Sequence, residues 1–485
     1  MSTGANWDTN VAPVNNGTAN VTFGGLIDLT PDMDASWSVN SLTFNNTSGA
    51  FTLGSVGGFT LTTGTGGITN NDNNAQTITN AIALGAAQTW NSAGNTISAT
   101  GAVNNGGNLL TLTGVGASLS GAVSGAGGLT VNGGTVTLSG AAGNTFSGPT
   151  TVNGGVLILQ KNAGVNALGG ALAIGDGTGT DEVRLGANNQ IGISTPVTVA
   201  SSGLFNLNGF SDGYLQLAVT GGSVTIGAGT LTLSTSLTMT GGSVSSTSGT
   251  LLLQGLVNTN AAATSATISG NVDLAAVTRT FTIADGAAAI DLDVSAVVSN
   301  GSIAKAGAGA LRLSGANTFA GNFDLNAGAV LVGNNAAFGT SIVQLNGGSI
   351  EADGGLRTLT NAITLGGNVS HTGATDIQST GAVQITGNRT FTVTAAAATF
   401  FVDGSLTESA GGFTFTKDGA GTLTLSTTGA NTFAGTTVVN AGLLRLAGST
   451  NTVRGNAIVG DDIGGPSSDF LRLDASNQIA DSATV

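Results

Sequence analysis

Apolar and polar residues alternate over short runs along this chain, and Thr422-Leu423-Thr424-Leu425 shows the pattern most clearly. Period-two alternation sends successive side chains to opposite faces of a strand, so the leucines point one way and the threonines the other. Such a strand is half-buried, with an apolar interior and a Thr-rich exterior. The runs, Val156-Leu-Ile-Leu159 among them, are a few residues long and are bounded by Asn-Gly and Ala-Gly pairs that read as corners. Glycine takes positive φ without steric penalty and asparagine tolerates it next best, which accounts for 80 glycines in 485 residues. No long 3.6-residue pattern occurs, and the Lys, Glu and Arg that coat the wet face of a helix are scarce, so helices are not expected.

The corners recur at a fixed spacing. Gly134 and Gly155 are 21 residues apart, Gly309 and Gly328 19, Gly328 and Gly348 20, and Gly421 and Gly442 21. This spacing reads as one coil of two or three short strands. Gly134 is then expected directly against Gly155, and Gly421 against Gly442, one strand spacing away in parallel pairing. Asn132 and Asn153, like Asn326 and Asn346, precede glycine pairs one coil apart, and their amides are expected to stack in ladders.

A longer repeat is superimposed. Lys417-Asp-Gly-Ala-Gly-Thr-Leu-Thr-Leu-Ser426 leads into Asn431-Thr-Phe-Ala-Gly435 and Val439-Asn-Ala-Gly442. The same order runs through Lys305-Ala-Gly-Ala-Gly-Ala-Leu-Arg-Leu-Ser314, Asn317-Thr-Phe-Ala-Gly321 and Leu325-Asn-Ala-Gly328, and through Gly127-Gly-Leu-Thr-Val131, Asn144-Thr-Phe-Ser-Gly148 and Val152-Asn-Gly-Gly155. Recurrence at this length argues for stacked supersecondary units rather than a globular enzyme core. The phenylalanines of the Asn-Thr-Phe strings, Phe146, Phe319 and Phe433, read as core or corner plugs.

These residues resemble the passenger-associated repeat of bacterial autotransporters, also called the autotransporter-associated β-strand repeat. The resemblance is strict in the three cassettes and looser in strings such as Asn80-Ala-Ile-Ala-Leu-Gly85 and Asn361-Ala-Ile-Thr-Leu-Gly366. It implies a right-handed parallel β-helix that is secreted or held at the bacterial surface. Autotransporters usually end in a β-barrel translocator, and Asp481-Ser-Ala-Thr-Val485 does not look like the end of one, so the segment reads as part of a longer protein. The expected fold is all-β, a right-handed parallel β-helix or solenoid of about 20-residue coils. Residues 1–90 are expected to form an N-terminal Trp-containing capping region with the first coils, and residues 91–485 the repeat β-helix, truncated at its C-terminus and prone to stack end to end.

Composition sharpens this picture. Hydrophobic residues make up 40% and mean hydropathy is +0.30, which disordered chains do not reach. Without a single cysteine there is neither a disulfide framework nor thiolate chemistry. A net charge of −14 with only 11 basic residues makes nucleic acid and anionic membranes poor partners. No run of 18 apolar residues offers a membrane-spanning helix, and Met1-Ser-Thr-Gly-Ala-Asn-Trp7 has the form of no secretory signal.

Candidate chemistry is sparse. The only histidine, His371, reads as a solvent-exposed turn residue rather than a general base. Asp291 with Asp293, and Glu351 with Asp353, each place two acids on one face of a strand, as polysaccharide-cleaving sites do; a solvated outward face is the simpler role. Trp7, Trp37 and Trp90, with Asp28, Asp32 and Asp34, fall in the first 90 residues and read as a cap before a sugar platform. Gly175-Asp-Gly-Thr-Gly-Thr-Asp-Glu182 and Gly460-Asp-Asp-Ile-Gly-Gly-Pro-Ser-Ser-Asp469 have the oxygens a calcium ion wants, but Asp-Gly is ordinary turn chemistry. No catalytic, cofactor-binding or metal residue is therefore expected, and no cofactor. The expected role is a structural stalk or adhesin-like passenger, extracellular or at the bacterial cell surface. Its partners would be an extracellular polysaccharide, a host or cell-surface ligand, or an end-to-end homo-oligomer. The competing roles are a carbohydrate-binding or polysaccharide-cleaving β-helix and a self-associating extracellular fibre.

Overall fold

The computed structural model describes residues 2–427, 431–449, 451–460 and 468–485. It is all-β, 1% helical, with about 21 turns of a parallel β-helix. The described ladders are parallel throughout, and the one antiparallel contact is the isolated bridge between Ala200 and Gly221. Two compact units are resolved: Met1–Ser234 with Gly242–Thr250, and Thr235–Gly241 with Leu251–Val485.

In the first unit the alternation of the sequence becomes a column of interior side chains. Val21, Leu42, Ile68, Trp90, Leu112, Val131, Val152, Ile174, Val199 and Val219 pair in that order, one per coil. None is more than 2% exposed. Fully burying a Val or Leu is worth about 1.5–3 kcal/mol, so the array is held by apolar stacking repeated coil after coil. Trp37 and Trp90 belong to this interior: Trp37 pairs with Leu61, and the two are 4% and 1% exposed. Trp7 is half-buried against the ring of Phe23 at 6.2 Å.

The glycine corners stack as the spacing predicts. The pairing of Thr135 with Val156 brings Gly134 against Gly155, and a Cβ on Gly155 would lie 2.2 Å from the Gly134 carbonyl oxygen. Both glycines have positive φ, +66° and +79°. Thr422 pairs with Leu443, so Gly421 and Gly442 meet in the same way.

The second unit repeats the design. Ile303, Phe323, Val343, Ile363, Val383 and Leu406 form one buried column. Leu292, Leu311, Val330, Ile350, His371 and Val393 form another. A separate ladder runs through Arg357–Leu359, Ile377–Ser379, Thr399–Val402, Thr422–Leu425, Gly442–Leu446 and Asp469–Leu473.

Candidate functional site

Three of the four paired acids, Asp293, Glu351 and Asp353, are brought onto one outward face, although some 60 residues separate Asp293 from the other two in sequence. Register stacks Asp293, Arg312, Leu331 and Glu351 on successive strands. Arg312 takes both oxygens of Asp293, Nε to Oδ1 at 2.9 Å and Nη2 to Oδ2 at 2.6 Å, and its Nη1 reaches Asp353 Oδ2 at 3.3 Å. Asp293 holds the guanidinium still more firmly in its charged form. Both carboxylates are thus tied to one guanidinium instead of standing free as an acid–base pair on either side of a sugar bond. Asp291 departs from the sequence expectation. It is not solvated but 6% exposed, and its carboxylate accepts the Gly286 and Ala310 backbone N–H groups, each at 2.8 Å. It precedes the strand Leu292–Val294, at a corner where those N–H groups need an acceptor. Asp291→Ala is accordingly expected to lower stability by about 1–3 kcal/mol in denaturant melts, since it takes the acceptor from two N–H groups, of which that of the half-buried Gly286 can turn to water.

His371 also differs from its expectation. The exposed turn residue is a fully buried rung between Ile350 and Val393. Its Nδ1 lies 3.1 Å from the Ile350 carbonyl oxygen, so that nitrogen carries the proton, while Nε2 has no partner and the ring stands edge-on to Phe400. Its neighbours above and below in that column, Ile350 and Val393, are aliphatic and buried.

The calcium candidates are engaged elsewhere. Asp176 Oδ1 accepts the N–H and hydroxyl of Thr178, both at 2.9 Å, closing a local turn. Asp181 is buried and takes the Ser202 hydroxyl at 2.5 Å, and Glu182 is held by Arg184 and by Asn206. Residues 461–467 of the Gly460–Asp469 string lie outside the described residues. Among the described residues no group of three His, Cys, Asp or Glu is placed to hold a metal. Near the start of the array, Asp34 accepts the Ser2 backbone N–H at 3.0 Å and Trp37 Nε1 at 3.3 Å.

The side chains that recur with fixed geometry are structural, and sequence reasoning singled out only some of them. The outer asparagine ladders form, Asn153 donating to Asn132 at 3.4 Å and Asn346 to Asn326 at 3.1 Å. The buried asparagines of the Asn-Thr-Phe strings do more. Asn144, Asn317 and Asn431 accept the backbone N–H of Val123, Val298 and Leu406 on the preceding coil at 2.8, 2.8 and 2.7 Å. Each then donates to a carbonyl of the following coil, Ala167, Ala337 and Thr452, at 2.8, 2.6 and 2.8 Å. One side chain thus clips three coils together, beside the buried Phe146, Phe319 or Phe433.

The lysines of the second and third cassettes were not singled out, and both are fully buried. Lys305 Nζ donates to the carbonyls of Ala306, Gly307 and Ala327 at 3.1, 2.8 and 2.9 Å. Lys417 Nζ does the same to Asp418, Gly419 and Ala441 at 2.8, 2.7 and 2.9 Å. Burial pushes both amines down to about 8, against the opposing pull of Asp291 on Lys305 and of Asp418 on Lys417. In the unfolded chain they titrate near the ordinary lysine value, 10.5. Between these values the unfolded chain binds more protons than the folded one, so stability rises with pH. The expected gain between pH 8 and pH 10 is on the order of 2–3 kcal/mol per lysine, read by denaturant titration and much reduced in the Lys305→Met/Lys417→Met double variant, where Lys161, also held down by burial, still contributes. Tyr214, held well above its ordinary value by burial, opposes this trend only at higher pH.

The model of the passenger-associated-transport-repeat family matches residues 133–159, 303–332 and 415–446. The adhesin BmaC autotransporter of Brucella suis biovar 1 (strain 1330) is 36% identical over 111 residues, which cover 22% of this chain and 3% of that protein's length. No solved structure gives a significant match. The matched segments contain the Lys305 and Lys417 cages and the glycine corners that stack one coil on the next, and these three rungs of the β-helix are passenger-associated transport repeats, the autotransporter repeat that the cassettes resemble.

Proposed function

We propose that the chain is a secreted or surface-displayed passenger segment that acts as an adhesin-like stalk and not as an enzyme. The observation that carries this reading is the fate of the acids. The best-placed carboxylates for chemistry on a sugar, Asp293 and Asp353, share one arginine, while the recurrent buried asparagines and lysines of the cassettes join one coil to the next. The relative named as an adhesin supports the same reading, over 3% of its length. The partner would be an extracellular polysaccharide or a cell-surface ligand met along the weakly charged Thr, Ser and Asn exterior. The net charge of −14 disfavours nucleic acid. No described helix is long and apolar enough to cross a membrane.

A glycan array and a cell-binding assay with the purified chain, each with and without calcium, test the proposal. Binding without release of soluble sugar, unchanged by Asp293→Ala or Asp353→Ala, is expected. Sugar release lost in those variants would replace the stalk with a polysaccharide-cleaving β-helix. Sedimentation over a concentration series would identify a self-associating fibre instead.

A further inference from the structure

Lys305 and Lys417 occupy positions that stacking alone assigns to apolar side chains. Lys305 is a rung between Phe281 and Leu325, and Lys417 a rung between Phe391 and Val439. In the first cassette the equivalent rung is Val131, between Leu112 and Val152. Valine satisfies the packing there, so a buried ammonium in the same place brings a desolvation cost that packing does not require.

The ammonium reads the position of the next coil. Two of its acceptors come from the corner that follows it in sequence, and the third, Ala327 or Ala441, comes from the coil stacked above. Gly328 lies against the far end of the Lys305 side chain, where a Cβ would lie 2.7 Å from Nζ. A slip of two residues between coils preserves the inside and outside faces and exchanges one aliphatic rung for another, so apolar stacking discriminates weakly against it. The same slip would place Asn326 or Val330 where Gly328 stands, and a side chain there would crowd Nζ off its carbonyls and leave a buried charge short of acceptors. That is a penalty hydrophobic rungs cannot impose.

We infer that Lys305 and Lys417 set the register in which neighbouring coils stack, at a cost in stability. Registry is the best-attested use of a buried polar group that packing does not need. The lysines stand in the second and third cassettes and read the Asn-Ala-Gly corners one coil on, Asn326-Ala-Gly328 and Asn440-Ala-Gly442.

The chain has no cysteine, so paired cysteines report register directly. Thr416 pairs with Val438, so Thr416→Cys/Val438→Cys reports the native register and Thr416→Cys/Thr436→Cys a two-residue slip. After refolding from denaturant and oxidation, the full chain with Lys417 should close only the first pair. Lys417→Met should close the slipped pair in a clearly larger share of molecules while melting no lower than the parent. A slipped pair that stays open in Lys417→Met, or a Lys417→Met chain that melts below the parent or does not refold, would overturn the inference. Lys305→Met provides an independent trial with Ala304→Cys/Asp324→Cys as the native reporter and Ala304→Cys/Asn322→Cys as the slipped one.

Discussion

Asn317→Ala is expected to destabilise the second unit by about 2–6 kcal/mol, far beyond the effect of a surface asparagine. The side chain is 4% exposed, and truncation orphans the Val298 N–H and the Ala337 carbonyl together. Each buried group left without a partner costs about 1–3 kcal/mol, and neither can reach water in that corner. Asn317→Asp separates the two terms: it keeps an acceptor for Val298 and loses the donor to Ala337. It should fall between wild type and alanine only if the N–H bond dominates. Asn153→Ala, on the exposed outer ladder, is the control and should stay within about 0.5 kcal/mol. Equal midpoints for Asn317→Ala and Asn153→Ala in a denaturant titration would show that the three-coil clip contributes nothing.

The coil architecture was legible because one periodicity decides it. Alternation fixed which residues face inward, the 19 to 21 residue spacing fixed where corners meet, and the stacking of Gly134 with Gly155 and of Asn326 with Asn346 follows from those two facts alone. At His371 the chemistry of the side chain points away from the place that its parity gives it. His371 follows Val369 and Ser370 and has the inward parity of Val369, and Lys305 has the parity of Ile303. Both were therefore interior by the rule that placed the leucines. A histidine in Thr- and Gly-rich sequence nevertheless suggests a wet turn. Asp291 went wrong for the opposite reason. It has the parity of Asp293 but sits just before the strand begins, where a corner turns the side chain towards unpaired N–H groups and alternation no longer applies. The partners of Asn317 lie one coil away on either side, 19 residues before and 20 residues after it, but they are backbone groups of Val298 and Ala337, which carry no signature of their own in the sequence.

Two substitutions in a single column test whether position or chemistry governs this interior. Leu311 stands between Leu292 and Val330, and His371 stands two rungs beyond Val330, past Ile350. Both side chains are fully buried. Leu311→Ala removes packing from both neighbours and leaves a cavity that rigid ladders on either side cannot close. The expected loss is about 2–5 kcal/mol. His371→Leu works in the other direction. It removes a buried Nε2 that has no partner, and the Ile350 carbonyl that loses Nδ1 still accepts the Thr372 N–H at 3.4 Å. Leucine is close in size to the imidazole and matches the aliphatic rungs on both sides, so the variant should melt at or above the parent temperature, with a gain of up to about 1–3 kcal/mol. A His371→Leu chain that melts well below wild type would mean that the imidazole has a polar partner in solution, and the column would then have to be regarded as a site rather than as a core.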